Sequence, residues 1–119
     1  MKRETITIEN GIVSVPASTE IWMTQHEITN LFGCFVSKVN SNIRSILKTG
    51  VLHETDVCRM YYYQNGNSVE VYSLEIIIAL SFRIGSRNAE VFRKWLIRKQ
   101  TKPEIPEILI RAIKNPTLN

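Results

Sequence analysis

Residues 36–48, VSKVNSNIRSILK, carry side chains whose types and spacing invite a chemical reading. At about 100° per residue, Val36, Val39, Ile43, Ile46 and Leu47 gather on one side of a helix. The other side carries Ser37, Lys38, Ser41, Ser45 and Lys48, with Asn42 and Arg44 on its flanks and Asn40 near the apolar edge. No acid falls on that outward side. Short hydroxyl and amide groups set between long cations suit a helix laid in the major groove of DNA. There the small groups approach base edges and the cations neutralise phosphates on either side. The competing reading is a packed helix with an ordinary solvated face.

Such a helix needs elements that hold it outward. Upstream, Thr24 and Glu27 form a T-x-x-E capping box that opens a helix with Ile28, Leu31 and Phe32 on one face. Gly33 ends it, and the second helix runs from about Phe35 to Lys48 before Thr49-Gly50. Two helices clasped by a glycine turn give a helix-turn-helix. Downstream, VCRMYYYQNGNSVEVY predicts a hairpin with Asn65-Gly66 at its tip, placed as a wing beside the second helix. Its tip is uncharged. Period-2 alternation turns Tyr62 away from Tyr61 and Tyr63, and cross-strand packing accounts for at least one of the three rings.

At the start, TITIENGIVSV predicts a hairpin about Asn10-Gly11, where a tight type I′ turn needs positive φ at both central residues. Ile21-Trp22-Met23 is a short strand expected to add to that hairpin. Ser73 caps a third helix, LEIIIALSFRI, closed by Gly85. Ser86 caps a fourth, Arg87 to about Gln100, with Ala89, Phe92, Trp95 and Leu96 inward, Arg93 outward and Glu90 paired with Lys94. The fold class is therefore α+β, winged helix-turn-helix-like over residues 1–102: an N-terminal hairpin, the helix pair, a wing hairpin and two closing helices. Residues 103–119, broken by Pro103 and Pro106, form a tail with one short amphipathic helix over PEILIRAIKN, a candidate dimer element.

Composition bounds the rest. One domain of 119 residues can bury a single core, and the run Ile76–Leu80 is far too short to cross a bilayer. The opening MKRETITIEN has no secretory apolar region, so a cytoplasmic chain is expected. The net charge of +4 is modest, yet seven basic residues against one acid lie between Arg83 and Lys102. With Lys38, Arg44 and Lys48 they favour a polyanion partner. Cys34 and Cys58 lie 24 positions apart without a CxxC, and neither pairs with His26 or His53 at short ligand spacing, so no metal is expected. The two imidazoles belong to no nucleophile–base pattern, and there is no glycine-rich phosphate loop. An enzyme is not expected, and neither is a cofactor.

The segments IWMTQHEITNLFG, ETDVC, VEVYSLEIIIALSFRIGS and FRKWL, in that order, resemble the N-terminal part of the RhuM (virulence protein RhuM) family across residues 20–100. A weaker likeness reaches the Bro-N and KilA-N modules of phage antirepressors. The resemblance implies a DNA-binding regulatory role tied to phages or mobile elements. It places Gln25, Ser37, Lys38 and Arg44 in the DNA-facing element, and Phe92, Arg93 and Trp95 in the closing helix. Family members often carry a polar residue two places after the turn glycine, where this chain has Phe35. Longer members also continue well beyond the closing helix.

The expectation is a double-stranded DNA binder, a transcriptional regulator or mobile-element accessory factor acting as a homodimer. Its contact residues are Gln25, Ser37, Lys38, Ser41, Asn42, Arg44, Ser45, Lys48, Arg93 and Lys94. The alternative is an antirepressor-type module that binds a repressor or another regulatory protein. On that view the basic residues 83–102 engage an acidic protein surface and the outward face of 37–48 is merely solvated.

Overall fold

The structure is a computed structural model that describes residues 5–17 and 20–99. The tail 103–119, with its proposed helix and dimer element, lies outside the described residues. Within them the chain is an α+β fold of five helices and two small antiparallel sheets.

Strands β1 (Thr7–Glu9) and β2 (Ile12–Ser14) form the expected first hairpin. Asn10 and Gly11 both take positive φ, 53° and 76°, as a two-residue primed turn requires. This hairpin stays a sheet of its own and packs β2 against the last described helix. Strand β3 (Trp22–Thr24) does not join it. It pairs instead with β5 (Ser68–Ser73), which also pairs with β4 (Cys58–Tyr62), giving the order β3-β5-β4. The observed pairing sets Met23 opposite Tyr72 in the ladder, and both are buried, so it seats Met23 in the core.

Helix α1 (Gln25–Phe32) follows β3 without a linker. Its capping box is complete: the Glu27 amide donates to Thr24 Oγ1 at 3.1 Å, and the Thr24 amide donates to Glu27 Oε1 at 2.9 Å. Gly33 adopts the left-handed conformation (φ 64°, ψ 50°) and its amide donates to the Thr29 carbonyl at 2.8 Å. Helix α2 (Val36–Lys48) then runs back across α1 and the next apolar helix. It buries Val39, Ile43 and Ile46; Val36, assigned to the apolar side, stands exposed at the helix entrance. A single-turn helix α3 (Glu54–Val57), unforeseen in the sequence, leads into β4. The Asn65-Gly66 tip is a longer turn than the first: Tyr63 donates to the Asn67 carbonyl at 2.8 Å, and Asn65 Oδ1 accepts from the Asn67 amide at 2.9 Å.

Helix α4 (Leu74–Ser81) is the centre of the core, with six of its eight residues buried. It ends at Ser81 with Phe82 as its C-cap, short of the expected Gly85, and its last turn tightens as the Phe82 and Arg83 amides reach back three residues to the Ala79 and Leu80 carbonyls. Helix α5 (Arg87–Lys99) is capped as expected, Ser86 Oγ accepting from the Ala89 amide at 3.1 Å. Phe92 meets Phe32 edge to face at 5.8 Å, and Asn88 Nδ2 donates to the Leu31 carbonyl at 3.0 Å. Trp95 is half-buried, stacked on Phe92.

Ser73 holds the N-cap position of α4, but its hydroxyl caps nothing. The residue is 8% exposed and its Oγ has no partner. The two cap positions should therefore respond differently to alanine. Thr24→Ala is expected to cost about 1 kcal/mol of stability, whereas Ser73→Ala, which removes an unpaired buried hydroxyl, should be neutral or stabilising. Urea denaturation of the two variants decides it, and equal losses would show that Ser73 caps α4 in solution.

Candidate functional site

Six of the candidate residues come together on one surface. Ser37, Lys38, Ser41, Arg44, Ser45 and Lys48 are all exposed along α2, and no carboxylate lies among them on that helix. Ser41 Oγ and Asn42 Nδ2 both donate to the Lys38 carbonyl, at 3.3 and 2.9 Å, so these short side chains lie back along the helix. Asn42 is half-buried and belongs to the flank. No side chain caps the start of α2 and no acid sits in its first turn, so the positive end of the helix dipole is left without a negative side chain.

One residue of this surface was not on the expected roster. Arg83, in the α4–α5 connection, reaches across to donate to Ser45 Oγ at 2.9 Å. Burial pulls its guanidinium below the ordinary arginine value, and no carboxylate pairs with it among the described residues. A partly desolvated cation without an acid, fixed beside an acid-free face, is suited to an anion. In the sequence it sits inside the apolar run LEIIIALSFRI, where the pattern predicts core and hides a long side chain that leaves it.

Three candidates lie elsewhere. Gln25 opens α1 on the inner side of α2, where its Nε2 donates to the Tyr72 hydroxyl at 3.2 Å. Arg93, expected outward, folds back instead: its Nη1 donates to the carbonyl of Ser81 (2.5 Å), at the C-terminal end of α4, and to that of Ile84 (3.1 Å) in the connection after it. Helical phase gave the direction of its Cβ correctly, but the side chain is long enough to return to the neighbouring helix end. Lys94 is exposed on α5 and paired with Glu90 at 3.4 Å, as foreseen.

Behind α2, a cavity of about 400 Å³ separates the helix from the sheet, lined by Gln25, Asn40, Arg44, Glu54, Glu70 and Tyr72 among others. The Tyr72 hydroxyl donates to Glu70 Oε1 at 3.0 Å. Glu54, Cys58 and Glu70 bring two carboxylates and a thiol within 4.8 Å of one another, the one such donor group among the described residues. Nothing in the spacing signalled it, because Glu54 opens a one-turn helix, Cys58 follows its end and Glu70 arrives from the partner strand. Burial first, then the Glu70 and Glu54 charges, push the Cys58 thiol up to about 11. A metal ion would have to displace that proton. Tyr72 is likewise pushed up to about 12, chiefly by burial.

The hairpin of β4 and β5 has an uncharged tip. Tyr61 and Tyr63 rings meet edge to face at 5.1 Å, while Tyr62 points to the other side and is exposed. On the outer face Arg59 lies 3.8 Å above the Trp22 ring and pairs with Glu20 at 3.4 Å. Among the described residues no helix is long and apolar enough to cross a membrane. Scans against protein-family models, curated proteins and solved structures found no match to this chain. The molecule is thus defined by its own geometry: an α+β chain presenting one cationic, acid-free helix face.

Two outcomes follow. Arg93→Ala should lower stability by about 1.5–3 kcal/mol, the range for hydrogen bonds to a charged group, while the exposed α2 face keeps its arrangement; chemical denaturation measures the loss, and a stability equal to wild type would contradict the clamp. Because the folded Cys58 pKa is raised, its thiol contribution to stability is complete below the unfolded thiol pKa and falls as pH climbs from about 9 towards 11. Alkylation of Cys58 at pH 8 should accordingly be much slower in the folded protein than in the denatured chain, and equal rates would refute the shift.

Proposed function

We propose that this protein binds double-stranded DNA and that α2 is its major-groove reading helix, in the manner of a winged helix-turn-helix regulator. One observation carries the reading: the face of Ser37, Lys38, Ser41, Arg44, Ser45 and Lys48 is exposed and cationic, the helix itself holds no acid, and Arg83 adds a further cation. Short hydroxyls between cations allow close approach to base edges while the long side chains meet phosphates. The sheet order supports the same reading. The strand before the helix pair joins the hairpin after it, so the wing is anchored beside α2 through β5.

On this reading α1 is the supporting helix, with Gly33 making the turn between the two. The residue roles divide by reach. Lys38, Arg44, Lys48 and Arg83 contact phosphates, and Ser37, Ser41 and Ser45 face the groove. Arg93 supports the fold, and Lys94 on α5 is a peripheral backbone contact. A single reading helix contacts few base pairs, so we propose that the protein acts as a symmetric dimer on two half-sites, in keeping with the regulatory role implied by the RhuM-like segments.

The test is fluorescence anisotropy of a labelled random-sequence duplex titrated at several salt concentrations. Wild type should weaken steeply with salt. Lys38→Ala/Arg44→Ala should reduce the slope of log affinity against log salt by about two, and Arg83→Ala by about one. Arg93→Ala should leave the slope unchanged in protein that remains folded. No binding by folded wild type at low salt would overturn the reading and favour the antirepressor alternative, in which the basic helix α5 meets an acidic protein surface.

A further inference from the structure

Phe35 is anomalous by every local measure. It holds the N-cap position of α2 in an extended conformation (φ −87°, ψ 147°), where serine, threonine, aspartate or asparagine would bond an open amide, and it makes no such bond. Its ring is also not used by the core: Phe35 is 82% exposed and the adjacent Val36 is 40% exposed. Neither helix capping nor burial accounts for a phenylalanine there. Its surroundings are specific, however. Ser37 and Lys38 follow directly, and the helix carries no acid.

We propose that Phe35 and Val36 read thymine C5-methyl groups in the major groove. The inference rests on the DNA reading above and adds the base chemistry that α2 selects. Helix-turn-helix proteins present the N-terminal residues of the second helix to base edges, and Phe35 and Val36 stand at that end. The groove floor offers hydrogen-bonding groups and one apolar group, the methyl of thymine. An apolar pair at the entrance of a helix whose outward face is cationic matches that combination of a methyl inside a polyanion. A second copy of this chain fits less well, because a symmetric contact through Phe35 would bring two copies of the acid-free Lys38 face together.

The experiment compares two duplexes of identical A·T-rich sequence, one made with thymidine and one with deoxyuridine, which differ only in the C5-methyl. Wild type should bind the thymidine duplex tighter by about fourfold for each methyl contacted, the affinity equivalent of one buried CH₂ group. Phe35→Ser supplies the missing cap hydroxyl. It should melt at a higher temperature than wild type, retain phosphate-driven binding and lose part or all of the methyl preference, the remainder disappearing in Phe35→Ser/Val36→Ser. Equal binding of the two duplexes by wild type would overturn the inference and leave the DNA reading intact. So would a methyl preference that survives undiminished in the double variant, or a wild-type dimer that Phe35→Ser dissociates in sedimentation while the preference persists. Failure to bind either duplex would remove both readings together.

Discussion

The short ladder between Trp22–Thr24 and Val71–Ser73 is the constraint on which the remaining structure hangs. Its strands run antiparallel, and a helix leaves each one directly. Helix α1 departs after Thr24, at the end opposite Val71, and α4 departs after Ser73, at the end opposite Trp22. The two helices therefore start from opposite ends of one small sheet and enclose the core between them. Met23 and Tyr72, facing each other across the ladder, are buried at its root. Closure comes from α5, which brings Phe92 to Phe32 and Asn88 to the open Leu31 carbonyl, so that one contact packs apolar surface while the other satisfies a helix end.

This arrangement decides which surfaces are free. Helix α4 is apolar nearly all round and is consumed by the core, as a helix of that composition must be. Helices α2 and α5 lie against it with one apolar face each, so their polar faces stand outward. The two outward faces are electrostatically unequal. On α5, Glu90 pairs with Lys94, Lys99 lies 5.8 Å above the Trp95 ring, and Arg93 is committed to backbone carbonyls. On α2 the cations meet no acid within the helix, and the Arg83 bond to Ser45 adds charge to them. On α5, then, three of the cations are already engaged within the fold, one of them with an acid.

What could be read from the sequence was local. The Asn10-Gly11 turn, the Thr24–Glu27 box, the Gly33 stop and the Ser86 cap each depend on residues within about one helical turn, and each forms as expected. The partner of β3 was not legible, because its pairing spans the whole helix pair. Ser73 shows a related limit: the residue type suits a cap, but the hydroxyl is turned into a site that offers it no amide. For the candidate site, helical phase located the exposed α2 residues, since a surface face is a property of one helix. Arg83 went unnoticed, and Gln25 and Arg93 were given the wrong surroundings, because a long side chain can contact an element other than the one its Cα belongs to. The Glu54–Cys58–Glu70 group escaped for the same reason at the level of strands.

The contrast between the DNA and protein readings comes down to side-chain length. An acidic protein surface could be met by lysines and arginines alone, which reach several ångströms across solvent and gain little from what lies between them. Ser37, Ser41 and Ser45 instead set a low floor along the middle of the face, with Lys38 and Arg44 rising on either side and Lys48 at the C-terminal end of the same stripe. A low centre between cationic edges lets the helix axis come close to a partner whose charges lie on two ridges with polar groups between, which is the cross-section of a DNA groove. The Arg83–Ser45 bond adjusts one edge of that profile from a separate element, fixing a cation that would otherwise move freely. On the proposed DNA reading the α4–α5 connection belongs to the contact surface along with α2, and the position of α4 in the core determines where that cation stands.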